Sequence, residues 1–245
     1  MRIPSSLPLV SCVMPTRDRW AFVQQSIKYF QRQDYPNLEL IIIDDGQQDL
    51  AHCAKNQKGV RYVRLPKALP IGAKRSYGCA MARGEIIAQW DDDDWYGPSR
   101  VSAQVESLIA GTADMDAFAD CVFLDLDSWK FWRCSASIFE RMFVGNVHGG
   151  TLAFHRRLVD SGIRYPAQSL AEDAYFLYLC NRRGARLHRT ASDGMFVYLR
   201  HRKSTWQFEC GKHLDPRQWH IVAPPEIPFE DRRFLEAQST IRRGL

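Results

Sequence analysis

No run of about 18 apolar residues occurs anywhere in the chain, so no simple membrane-spanning helix is expected. Pairs of Cys and His at zinc-ligand spacing are absent, no two cysteines stand as C-x-x-C, and a structural zinc site is not expected. Neither a G-x-G-x-x-G fingerprint nor a P-loop is present, which disfavours dinucleotide and ATP folds of those kinds. Dense Lys/Arg runs are missing and the net charge is only +5, too little for a nucleic-acid partner. That mild excess suits an anionic ligand or a transient contact with a membrane surface. Repeats, low-complexity tracts and linkers are also absent. The short apolar stretch near the N-terminus is broken by Pro4 and Pro8 and is too short for a signal segment. A cytoplasmic protein is expected.

What is present is enough for one sizeable core: 245 residues, 45% hydrophobic and 25% charged. The seven cysteines are odd in number and are expected as free thiols. The first hundred residues alternate between strand and helix patterns. Leu9 to Met14 is β-competent, with Pro15 expected to stop it. Trp20 to Gln33 carries Trp20, Val23, Ile27 and Phe30 at helical spacing. Leu38 to Ile43 is a continuous apolar run, as in a strand buried on both faces. A weak helix over 49–57, a strand over 60–65, a helix over 72–82, a strand over 85–90 and a helix from Pro98 to Ala110 follow. This order predicts a doubly wound α/β sheet. Strands over 118–126, 151–155 and 195–199, a helix over 172–183 and a helical end to the Pro-rich tail complete the expectation. One domain over 1–245 is expected: a donor half at 9–110, an acceptor half at 111–205 and an extension at 206–245.

Polar clusters close three of the expected strands: Pro15 to Arg19, Asp44-Asp45-Gly46, and Asp91 to Asp94. Open α/β sheets bind ligands beyond the carboxyl ends of their strands, so the three clusters are expected in one crevice. Four adjacent carboxylates repel one another and call for a cation. In an extended segment Asp91 and Asp93 share a face, a geometry suited to part of a Mg²⁺ or Mn²⁺ shell completed by a diphosphate. Flanking by Trp90 and Trp95 speaks against a merely solvated acidic loop. Gly46 is expected to allow a turn with positive φ. Lys74 and Arg75, near a helix start, are placed to meet a base or a phosphate.

Pro15-Thr16-Arg17-Asp18, Ile43-Asp44-Asp45-Gly46, Gly72-Ala73-Lys74-Arg75-Ser76, Gly84-Glu85-Ile86-Ile87 and Asp91 to Asp94 with Pro98 come in an order that resembles family 2 glycosyltransferases of the GT-A fold. Glu172-Asp173 and Val197 to His201 extend the likeness to about residue 205. The resemblance implies an inverting, metal-dependent transferase with Mn²⁺ or Mg²⁺, using a nucleotide sugar, UDP-sugar by default, and a carbohydrate, lipid-linked or protein acceptor. It implies donor contacts from Pro15, Arg17, Asp45, Lys74, Arg75, Asp91 and Asp92, with Asp45 at the nucleobase. Asp93 would ligate the metal, with His201 near it or the diphosphate. Asp173 would be the general base. Departures from the family pattern fall at Asp18, Gln47 and Ser76.

Glycosyl transfer needs a base for the acceptor hydroxyl, stabilisation of the departing diphosphate and in-line positioning. On the acceptor side the expected contacts are His148, Gly149, Gly150, Glu172 and Trp132. The last belongs to an aromatic-basic patch over 129–133 that suits a sugar ring or a membrane surface. Two alternatives share the acidic pattern. A sugar-1-phosphate nucleotidyltransferase would need a Gly-rich loop after the first strand, and none follows. An inactive nucleotide-sugar-binding module would not need Asp93 and Asp173.

Overall fold

In the computed structural model, which describes residues 7–239, the apolar runs become strands that feed two cores at once. β1 (Val10–Thr16), α1 (Trp20–Gln31), β2 (Leu38–Asp44), α2 (Ala51–Ala54), β3 (Val60–Arg64), α3 (Ile71–Met81) and β4 (Ile86–Gln89) come first. Val10, Cys12 and Met14 of β1, with Leu40 and Ile42 of β2, face a core shared with Val23, Ile27 and Phe30 of α1. Val13, Ile41, Ile43 and Ile87 face the opposite core, with Cys79 of α3. Side chains alternate along a strand, so a sheet covered on both faces needs an unbroken apolar run. The β-α alternation is as expected.

β1 does not stop at Pro15. It continues to Thr16, with Pro15 in register with Ile43 of β2. The β4 ladder ends at Val13, whose carbonyl accepts from Trp90. The nitrogen of Pro15 points to that vacated side, so its missing N–H breaks no ladder bond.

The chain then runs through β5 (Trp95–Tyr96), α4 (Arg100–Ile109), β6 (Met115–Phe118), β7 (Val122–Asp125), β8 (Lys130–Cys134), α5 (Ala136–Met142), β9 (Ala153–His155), α6 (Arg157–Asp160), α7 (Glu172–Arg182), β10 (Leu187–Thr190), β11 (Phe196–Arg200), β12 (Trp219–Ile221) and α8 (Phe229–Gln238). The strand expected over 118–126 is in fact the end of β6 and the whole of β7, which lie in different sheets. Its apolar run is continuous because both strands are buried. The helix expected in the tail is α8; residues 240–245, and Pro4, lie outside the described residues.

The main sheet has the order β10-β6-β9-β4-β1-β2-β3, with β9 antiparallel to both neighbours. A second, five-stranded sheet has the order β12-β8-β7-β11-β5. Succession moves from β1 to β2 to β3 and then returns to β4 on the other side of β1. The order reverses between β1 and β4, and that switch point opens a crevice at their carboxyl ends. α3 lies tight on β1 because Gly78 leaves room: a Cβ there would stand 2.3 Å from Val13 Cγ1. This close approach sets Lys74 and Arg75, one turn earlier, under the strand ends. Among the described residues, no helix is long and apolar enough to cross a membrane. All seven cysteines are free thiols.

Candidate active site

A cavity of about 800 Å³ occupies the crevice, lined by Thr16 at the end of β1, Arg17 and Arg19 beyond it, Lys74 and Arg75 of α3, Asp91 to Asp93 beyond β4, Gly149-Gly150, and Glu172-Asp173 at the start of α7. Segments far apart in sequence therefore meet there. Pro15, His148, Tyr198 and Trp206 line it too.

The acidic turn is anchored by its neighbours. Trp90 and Trp95 are fully buried and donate through their indoles to Ser26 Oγ (2.7 Å) and Asp231 Oδ2 (2.9 Å). Tyr96 Oη accepts from the Asp91 amide at 2.8 Å. Instead of alternating as in a strand, the segment turns, so that Asp91, Asp92 and Asp93 all line the cavity. Asp94 points away, and its Oδ1 accepts from the Leu199 amide at 2.9 Å.

Side-chain cations answer much of the repulsion expected among these carboxylates. Arg75 donates to Asp91 Oδ1 at 2.7 Å. Arg19 Nη1 donates to Asp92 Oδ1 at 2.8 Å and to Asp93 Oδ2 at 2.6 Å, while its Nη2 reaches the Lys203 carbonyl at 2.6 Å. Thr16 adds a hydroxyl on Asp92 Oδ2 at 2.6 Å. Burial pushes Asp92 up, with Arg19 pulling against it. Burial also opposes the charge on Asp93, but Arg19 and His201 outweigh it and hold Asp93 well below the usual carboxylate range.

His201 does not line the cavity, yet its Nε2 lies 2.9 Å from the same Asp93 Oδ2 that Arg19 uses. Among the described residues, no group of three or more His, Cys, Asp or Glu side chains is disposed to hold a metal ion. A pair of one carboxylate and one imidazole fits a Mn²⁺ or Mg²⁺ ion that takes its other oxygens from substrate and water, as hard cations beside phosphates commonly do. Any such ion shares Asp93 with Arg19.

Asp45 does not line the cavity. Arg17 grips it through Nε (3.1 Å) and Nη2 (3.0 Å), Lys74 Nζ donates at 2.8 Å, and the Leu69 amide at 2.7 Å. Burial works against this carboxylate's charge, and the Leu69 amide, Lys74 and Arg17 together outweigh it and lower its pKa. A base contact from Asp45 would have to displace one of these partners. Lys74 also donates to the Thr16 carbonyl at 2.9 Å, and burial pushes its pKa down against the pull of Asp45. Gly46 is needed for a different reason from the expected turn. Its φ is not positive, but a Cβ there would stand 2.6 Å from Asp18 Oδ1.

The opposite wall is built on α7. Ala171, just before the helix, has φ 58°, a left-handed conformation costly for a residue with a Cβ. It delivers Glu172 and Asp173 into the cavity. Arg75 Nε donates to Glu172 Oε1 at 3.1 Å, so a single buried guanidinium ties Glu172 to Asp91. Burial pushes Glu172 up to about 7, with Arg75 opposing and Asp173 adding to it. Burial likewise raises Asp173, against Arg75 and a 2.7 Å bond from the Ala174 amide. Gly149 and Gly150 pass directly beneath the carboxylates: added Cβ atoms would stand 2.4 Å from Asp173 Oδ2 and 2.6 Å from Asp91 Oδ2.

His148 is 4% exposed, and neither ring nitrogen has a partner. Burial pushes it down to about 3, aided by Arg200, so it is neutral near pH 7. Trp132 is not brought to the site. It sits on β8 in the second sheet and packs under Gly211, where a Cβ would stand 2.6 Å from its ring. The aromatic-basic patch over 129–133 is thus a hairpin with β7. Sequence patterns assigned no role to Arg19, Phe143 or Trp206. Arg19 stood inside a cluster already singled out. The two aromatics carried no signal, since aromatic residues in such stretches are usually core.

The model of a protein family described as glycosyl transferase family 2 matches residues 11–161. WcaA of Escherichia coli (strain K12), whose name assigns it to colanic acid biosynthesis as a glycosyl transferase, is 36% identical over 100 residues. That match covers 39% of this chain and 36% of WcaA, so the chain spans about a third of that relative's length. The mannosyltransferase PcManGT of Pyrobaculum calidifontis, solved with GDP-Man and Mn²⁺, superimposes with a TM-score of 0.65 at 18% identity, over 82% of this chain and 59% of that one. TarS 1–349 of S. aureus, solved with UDP-GlcNAc, gives 0.62 at 15% identity, over 80% and 60%. Both likenesses speak to the shared GT-A fold.

Proposed function

The chain belongs to glycosyl transferase family 2, and from that premise we propose that it moves a sugar from a nucleoside diphosphate donor to a hydroxyl acceptor with inversion. The observation that carries this reading is the meeting of Asp91 to Asp93, Arg75 and Glu172-Asp173 around one cavity at the switch point between β1 and β4. The donor nucleotide enters along Pro15, Arg17 and Lys74, and the sugar lies toward Asp91 and Asp92. Asp93 and His201 would hold a divalent cation, Mn²⁺ or Mg²⁺, which supplies charge neutralisation for the departing diphosphate. Arg19 and Arg75 keep the three carboxylates fixed, so little reorganisation is needed at reaction.

Asp173 takes the acceptor proton as the hydroxyl attacks, a contribution of about 10²–10⁴-fold for a well-placed base. Its elevated pKa, caused by burial, matches it to an alcohol better than an ordinary carboxylate. A single displacement inverts the anomeric centre. UDP-sugars are the first donors to test, and GDP-sugars the second, given the ligands of TarS and PcManGT.

A thermal-shift screen of nucleotide sugars with and without Mn²⁺ tests the donor class. At 100 times Kd a ligand stabilises by about 2.7 kcal/mol, which raises the midpoint of a chain this size by roughly 5–10 °C. Such a shift for one nucleotide sugar, larger with Mn²⁺, is the expected result; none across the panel overturns the reading. Retention of configuration by NMR would reject the single displacement.

A further inference from the structure

The acidic turn already has a cation of its own. Arg19 Nη1 is shared between Asp92 Oδ1 at 2.8 Å and Asp93 Oδ2 at 2.6 Å, and Nη2 is spent on the Lys203 carbonyl at 2.6 Å. The Arg19 side chain is 19% exposed. Burial works against the guanidinium charge, but Asp93 and Asp92 outweigh it and raise the pKa further, so the group is charged at neutral pH.

The local fold fixes this guanidinium in place. Arg19 is the N-cap residue of α1, and Phe22, three residues on, stacks against the His201 ring with centroids 5.4 Å apart and planes at 17°. One helix start therefore carries both the cation on Asp93 and the ring that holds the imidazole meeting the same oxygen at 2.9 Å.

The charges of the cavity wall are a second observation. Six acidic and six basic side chains line it. A divalent ion entering alone finds no excess of negative charge, and at Asp93 it meets a carboxylate that Arg19 already neutralises. A nucleoside diphosphate brings negative charge of its own.

We propose that Arg19 is the resident counter-cation of Asp93, that it competes with the divalent ion for this carboxylate, and that it sets how weakly the ion binds without donor. The inference rests on the metal-dependent transferase reading above and adds the residue that tunes the ion's affinity. An arginine that merely orients Asp93 for the ion would act with the opposite sign, since its loss would weaken the ion.

Mn²⁺ titration of the donor-free protein, read from the electron paramagnetic resonance signal of the free ion, separates the two. Arg19→Met is expected to bind Mn²⁺ roughly tenfold tighter than the wild type, because a unit charge is withdrawn from beside the ligand. Arg19→Lys keeps a charge for folding but lacks the fork that spans the carboxylates and the Lys203 carbonyl, and is expected to bind about threefold tighter. Lys203 is exposed and lines the same cavity. Lys203→Met withdraws an equal charge from the wall but not from Asp93, and is expected to stay within about twofold of the wild type. Unchanged or weaker Mn²⁺ binding in Arg19→Lys overturns the proposal. Equal tightening in Lys203→Met also overturns it, because the effect would then be one of overall charge, as does absence of Mn²⁺ binding in every protein. Circular dichroism follows folding, and if Arg19→Met does not fold, Arg19→Lys decides. Nucleotide-sugar stabilisation of the wild type without Mn²⁺, measured alongside, reports on the donor reading by itself; where it persists and the Mn²⁺ result fails, only this inference falls.

Discussion

Replacing Gly149 with alanine places a methyl group where the carboxylate of Asp173 now lies. The new Cβ would stand 2.4 Å from Oδ2, 2.7 Å from Cγ and 3.1 Å from Cβ of Asp173. Rotating the carboxylate alone cannot relieve this, since the stem of the side chain is also in contact. Ordinary carbon contacts lie near 3.5 Å, so Asp173 must retreat by roughly 1 Å. A displacement of about 1 Å in a reacting constellation costs on the order of 100-fold in rate. Overpacking of this kind costs about 1–3 kcal/mol in stability, which leaves a folded protein to assay. Gly150→Ala is the matched control. Its Cβ meets the tip of Asp91, Oδ2 at 2.6 Å, and next the His148 ring at 3.1 Å. It is therefore expected to raise the donor KM several-fold and to change kcat little. Steady-state kinetics with varied donor, with thermal midpoints recorded alongside, separates the two effects. A Gly149→Ala protein that folds and keeps full kcat would refute the placement of Asp173 at the reacting hydroxyl.

Arg75→Met removes the one cation that ties Asp91 to Glu172 and leaves two poorly solvated carboxylates, so urea unfolding should show a loss of about 3–5 kcal/mol. A loss below 1 kcal/mol would mean that the network is relaxed elsewhere. The pH profile of kcat/KM should fall on the acid side near pH 7, where Glu172 takes up a proton and the buried pair is no longer fully ionised. A flat profile from about pH 5 to 8 contradicts this assignment. His148 resists protonation in the fold down to about 3, while the unfolded chain takes up the proton near 6.5. Its contribution is therefore complete above 6.5 and is lost as the pH falls toward 3. Relative to His148→Phe, which has nothing to titrate, the wild type should lose about 1.4 kcal/mol more for each pH unit of acidification in that window. Equal acid sensitivity in the two proteins would show that the ring is solvated.

The first hundred residues were legible because their signals are local and redundant. Runs such as Leu38 to Ile43 have one physical explanation, a strand covered on both faces, and the polar clusters that follow β1 and β4 fall at the switch point that the sheet order creates. The second half was not legible in the same way. The boundary between β6 and β7 lies inside one apolar run, and only tertiary pairing tells that they belong to different sheets. Trp132 looked like a ligand contact because of its aromatic-basic surroundings, yet it packs under Gly211, and the side chains that hold Asp45, Arg17 and Lys74, lie 28 and 29 residues away. The arginines that neutralise Asp91 to Asp93 lie about 16 and 73 residues away in the chain, beyond the reach of any pattern based on neighbours.

The central claim is that distant acidic segments form one transferase site with Asp173 as its base. The most direct measurement compares wild type and Asp173→Asn in two assays on one preparation, nucleotide-sugar binding by thermal shift and nucleoside diphosphate release in the presence of acceptor. The account predicts unchanged donor binding and a loss of turnover of about 10²–10⁴-fold. Donor binding and turnover both at the wild-type level in Asp173→Asn would contradict it.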